Sequence, residues 1–212
     1  MKKSILKIVV LFMFVLVATT GCFNKEKVES FVDEVDESIS QQIKKEISIG
    51  EWTENDYSND FLGLIFTKPE SWTRYSDDQI KELMQIGSEM VDVSELNKKI
   101  AELTSVTYMM ASDVTGSNII VMSEKPVVSI SVDNYAKQLK TQLEAQTQIT
   151  YNPGEIKTET INGKEFTTLD AQASTLKQKY YLYNVDKYIV AIIVTSTTGE
   201  SPDTLLQHFT FE

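Results

Sequence analysis

Residues 155–171 read EIKTETINGKEFTTLDA, and the pair Asn162-Gly163 at their centre is the strongest short turn signal in the chain. Asn-Gly between two β-prone runs favours a tight hairpin, because both central positions of the matching turn need positive φ. Glu155–Ile161 and Glu165–Ala171 are therefore predicted as antiparallel partners. The same reasoning extends on both sides. Gln178–Tyr183 and Tyr188–Thr195 flank Val185-Asp186 as another hairpin, and Val106–Ser112 and Asn118–Ser123 are joined through Thr115-Gly116-Ser117. Phe61, Leu62, Leu64 and Phe66 form a strand-like stretch that stops at Pro69, and Phe209 and Phe211 alternate as a closing strand.

Helices fall between these strands. Ser76 with Gln79 three residues on is a capping box, and Asp77 and Asp78 suit the positive helix end. Ile80, Leu83, Met84, Gly87, Met90 and Val91 then share one face. Val132, Tyr135, Leu139 and Leu143 recur at helical spacing, and Ser201-Pro202-Asp203 opens a short last helix with proline at its first position. Hairpins joined mostly in sequence predict a largely antiparallel sheet flanked by helices, an α+β class. No repeat at solenoid periods is visible.

The chain has 212 residues, 42% of them hydrophobic, so it has material for a real core. It divides into three parts: a signal segment 1–21, a tether 22–50 closed by Gly50, and a folded domain 51–212. Lys2, Lys3 and Lys7 precede the apolar run Ile8–Ala18. About eleven apolar residues are too few for a membrane span, which needs about twenty, and suit a secretory signal. The single cysteine, Cys22, follows at once, and it excludes an internal disulfide.

Thr19-Thr20-Gly21-Cys22 resembles the lipobox of bacterial lipoproteins, with Thr19 where that family usually carries leucine. The resemblance implies a diacylglyceryl group on the Cys22 thiol and cleavage just before it. Two acyl chains give stable attachment, at roughly 0.8 kcal/mol per buried CH₂. The mature protein is then expected on the outer face of the cytoplasmic membrane, its membrane partner reached through lipid on Cys22.

Charge narrows the partners. The chain holds 20 basic and 31 acidic residues, and loss of the three signal lysines leaves 17 basic residues, an excess of 14 negative charges. Arg74 is its one arginine. Nucleic acid is excluded as a partner, since phosphate recognition leans on clustered Lys and Arg. Attraction to anionic lipid through a basic face is excluded for the same reason. Between the anchor and the domain, Val28, Val32, Val35, Ile39, Ile43 and Ile47 form one helical stripe. A helix of about 24 residues would reach roughly 36 Å; the tether reads first as a partly helical solvated linker, with a stalk, a self-association seam or a cover for part of the domain as the alternatives.

The run Tyr57-Ser58-Asn59-Asp60-Phe61-Leu62-Gly63-Leu64-Ile65-Phe66, followed by Pro69, Trp72 and Tyr75-Ser76-Asp77, resembles a family of small secreted or lipid-anchored proteins of Gram-positive bacteria. Thr115–Ile119 and Gly163–Phe166 add to the resemblance. It implies a PsbP-like α/β/α sandwich over most of 51–212. Relatives of that fold, a photosystem II extrinsic subunit and a nuclear-import factor, bind proteins rather than turn over substrates.

Candidates for chemistry are few. His208 is the one histidine, and alternation in His208-Phe209-Thr210-Phe211 makes it an exposed strand residue. No nucleophile elbow, His-Glu-x-x-His pair or phosphate loop occurs, so no catalytic residues, cofactor or metal is expected, and no enzyme. Glu51, Glu54, Asp56 and Asp60 do not follow calcium-loop spacing. Met84, Met90, Met109, Met110 and Met122 offer soft ligands for Cu(I) or, more simply, core filling. Trp52, Tyr57, Trp72, Tyr75 and Tyr180-Tyr181-Leu182-Tyr183 offer rings for a glycan or an envelope protein, with Trp52 the best placed for exposure. Tyr181 and Tyr183 should share one sheet face and Tyr180 the other. The expected function is a lipid-anchored, non-enzymatic interaction module at the cell surface, with a small-ligand or glycan-binding lipoprotein as the alternative.

Overall fold

A computed structural model describes residues 47–90, 101, 103–126, 128–147 and 149–212. The signal segment, Cys22, the stripe from Val28 to Ile43, and Val91 lie outside the described residues. The element order is β1 (Glu51–Trp52), β2 (Asp56–Asn59), β3 (Leu64–Thr67), β4 (Thr73–Arg74), α1 (Asp77–Met90), β5 (Ser105–Ser112), β6 (Asn118–Glu124) and α2 (Val132–Ala145). It continues with β7 (Asn152–Ile161), β8 (Lys164–Ala173), β9 (Leu176–Val185), β10 (Tyr188–Ser196), α3 (Pro202–Leu206) and β11 (Phe209–Phe211).

The Asn162-Gly163 turn joins β7 to β8 with φ of 51° and 82°, as a two-residue hairpin requires. Ile161 pairs with Lys164 directly across it. Next along the chain, Ser174 at φ 56° turns β8 into β9, and Asp186 at φ 50° turns β9 into β10. Tyr188 pairs with Val185, so that last turn is Asp186-Lys187, one residue later than its sequence pattern suggests. The capping box also forms. The Ser76 amide donates to Gln79 Oε1 at 2.9 Å, and the Gln79 amide donates back to Ser76 Oγ at 3.3 Å.

All described pairings are antiparallel, and they build two sheets. The larger has seven strands in the order β4-β5-β6-β10-β9-β8-β7, and the smaller has four in the order β1-β2-β3-β11. One face of the large sheet packs on α1 and α2 through Ile80, Leu83, Tyr135, Leu139 and Leu143. Its other face packs on the small sheet and α3 through Leu64, Phe66, Leu206 and Phe209. The α+β class and the antiparallel sheet are as expected. Among the described residues, however, a second sheet with one short helix lies on the face where the sandwich expectation put a helical layer. Phe61 and Leu62 also leave the predicted strand, forming the turn between β2 and β3.

Period-2 alternation explains the two cores. Along β9, Tyr180 and Leu182 face the helices, while Tyr181 and Tyr183 face the small sheet. A register irregularity between Thr107 and Met109 bulges β5 against β6.

Candidate functional site

A group of charged and polar side chains lies on the small-sheet face, where residues of β7, β9 and α3 meet. Lys179 shares the parity of Tyr181 and Tyr183, so the strand carries its ammonium inward, and it is only 4% exposed. Two carboxylates meet it: Glu159 of β7 at 2.6 Å and Asp203 of α3 at 2.8 Å. The Tyr181 hydroxyl donates to Asp203 Oδ1 at 2.6 Å, and Ser201 Oγ donates to Asp203 Oδ2 at 3.1 Å. Asp170 lies opposite Lys179 in the ladder and adds negative charge nearby.

Burial alone would push Lys179 down, but hydrogen bonds to Asp203 and Glu159 outweigh it and hold the amine above its ordinary value. Burial would raise Asp203, yet Lys179, Tyr181 and Ser201 hold its carboxyl below the usual range. Each group keeps its charge near neutrality. A lysine nucleophile needs the free amine and a general acid needs the protonated carboxyl, so this arrangement is suited to neither. It can fasten α3 to the large sheet.

The tyrosines expected as a stacking surface are core residues. Tyr57, Tyr180, Tyr181 and Tyr183 are buried. Tyr183 donates to the Leu62 carbonyl at 3.2 Å and Tyr180 to Gln178 Oε1 at 2.6 Å. Tyr108 shares a 2.9 Å bond with Ser123, and burial pushes its hydroxyl up to about 12. Trp72 is buried, and the Tyr75 hydroxyl bonds Ser112 Oγ at 2.9 Å. Trp52 is half-buried rather than free, packed on Tyr57 and Phe66, with the Arg74 guanidinium 5.7 Å from its ring centre.

The remaining candidates are dispersed. His208 is half-buried in the turn before β11, not on an exposed strand. The last turn of α3 reaches it, its amide donating to Leu205, so β11 begins one residue later at Phe209. Met109 points to the small-sheet core, whereas Met110 and Met122 point to the helix-side core with Met84 packed beside them. Met90 closes α1. Glu51, Glu54 and Asp60 are exposed around the β1–β2 hairpin and Asp56 is half-buried. Among the described residues, no three His, Cys, Asp or Glu side chains come together as a metal ion would need. No helix among them is long and apolar enough to cross a membrane.

No protein-family model matches the chain, and no curated protein matches it. Among solved structures, the solution structure of cyanobacterial PsbP (CyanoP) from Synechocystis sp. PCC 6803 is similar, at 11% identity and a TM-score of 0.48. The match covers 77% of this chain and 96% of that one.

The Glu159–Lys179–Asp203 cluster escapes a reading by motif, because its members come from three distant elements. One signal was available: Lys179 sits in step with Tyr181 and Tyr183, next to the apolar end of the strand. A lysine there needs partners of opposite charge.

Proposed function

We propose that this chain is a lipid-anchored, extracytoplasmic binding module with a PsbP-like domain, held by Cys22 at the outer face of the cytoplasmic membrane and acting through contact rather than turnover. The observation that carries the reading is the apolar run Ile8–Ala18 ending at Thr19-Thr20-Gly21-Cys22. The string from Tyr57 to Asp77 supports the family, and the occupied state of the candidate groups supports the mode of action. Lys179 and Asp203 neutralise one another, and the buried tyrosine hydroxyls of β9 are bonded to neighbours within the domain.

The partner is an envelope protein in this reading, with a glycan or small ligand as the other possible occupant. The two separate by photocrosslinking in cells from Val114 and Val128, both exposed positions outside the core. Discrete protein adducts from either position are expected. Adducts with glycan alone would transfer the reading to the glycan, and no adduct from either position counts against a binding module.

A further inference from the structure

Residues 47–50, the end of the tether, make more bonds to the domain than a linker needs. Ile47, the last member of the apolar stripe, is 5% exposed and belongs to the core between the two sheets. The next two residues are held by their carbonyls. Asn59 Nδ2 donates to Ser48 O at 3.0 Å, and the Tyr57 hydroxyl donates to Ile49 O at 2.5 Å. Asn59 is itself fixed, since its Nδ2 also reaches Tyr57 Oη at 3.0 Å and its Oδ1 accepts from the Leu62 amide at 3.0 Å. Both clamping side chains are buried on β2.

Gly50 completes the arrangement. Its φ of +76° is a conformation glycine adopts freely. A Cβ there would lie 2.5 Å from both the Ser58 carbonyl oxygen and Tyr57 Oη. The backbone therefore passes over the clamp at a distance that only glycine permits.

We infer that Ile47–Gly50 is a fixed socket and not a hinge: these four residues belong to the folded unit, and no swivelling between anchor and domain takes place within them. Resting on the lipid-anchored reading, this means that tension from the membrane enters the core through β2. A hinge would show the opposite pattern, with exposed backbone and few buried apolar contacts.

The test uses the full chain with Cys22→Ser and Ile49→Cys, which leaves one thiol, at a half-exposed position, for a nitroxide label. The label should give broad lines that follow the tumbling of the whole domain. Adding Tyr57→Phe with Asn59→Ala should bring in a narrow, mobile component. If that double variant loses its circular dichroism, Tyr57→Phe alone, which keeps the ring in place, carries the test. Narrow lines before any clamp substitution, or no change in a folded clamp variant, would overturn the socket. Because the lipid is absent throughout, neither result bears on whether Cys22 is acylated.

Discussion

Seven of the nine tyrosines have hydroxyls that burial pushes above their ordinary value of 10.0: Tyr57, Tyr108, Tyr135, Tyr151, Tyr180, Tyr181 and Tyr183. A group whose pKa is higher in the fold than in the unfolded chain stabilises the fold fully below the unfolded value. That contribution disappears as pH climbs through the folded value. The protein should therefore hold its structure up to about pH 10 and lose stability steeply above it. Tyrosinate absorbance and loss of circular dichroism should appear together. Ionisation of most tyrosines with the fold intact would show that these hydroxyls are not enclosed. The faces of this tyrosine cluster were legible in the sequence, because period 2 separates Tyr180 from Tyr181 and Tyr183. Their bonding was not, since Leu62 O and Asp203 come from elements 121 and 22 residues away.

At the scale of elements, the β5–β6, β7–β8 and β9–β10 hairpins and the capped start of α1 could be read from local chemistry, whereas the β8–β9 turn at Ser174 could not. Asn162-Gly163 needs only its own backbone to turn, and Ser76 with Gln79 needs only one helical turn. The small sheet was hidden for two reasons. Its strands β1, β2 and β3 have two to four residues, too few to display a period. Its edge strand β11 arrives from the far end of the chain to pair Phe209 with Phe66. Asp203 fastens α3 to the large sheet through Lys179 and Tyr181 of β9, beside the buried Pro202 and Leu206. Asp203→Ala deletes both bonds and leaves the buried ammonium with Glu159 alone, which should cost about 2 kcal/mol in urea unfolding. Lys179→Met should cost less. It removes the buried charge and leaves two carboxylates on side chains 29% and 51% exposed, although Glu159 Oε2 itself is enclosed. A Lys179→Met protein weaker than Asp203→Ala would mean that the ammonium, and not the acid, organises the site.

For the whole molecule, the proposed location rests on the string Thr19-Thr20-Gly21-Cys22, while no comparable string points to a partner. The excess of acid disfavours phosphate and anionic lipid as partners, and Lys179, Asp203 and the tyrosine hydroxyls of β9 are bonded within the domain. In the proposed reading, membrane attachment depends on the anchor, because an acidic domain has little attraction of its own to an anionic membrane surface. The most direct measurement is detergent phase partition of the intact protein against Cys22→Ser in cells that process lipoproteins. The unsubstituted protein should enter the detergent phase and sediment with membranes, and Cys22→Ser should move to the aqueous phase. A Cys22→Ser protein that remains membrane-bound to the same extent would contradict the account.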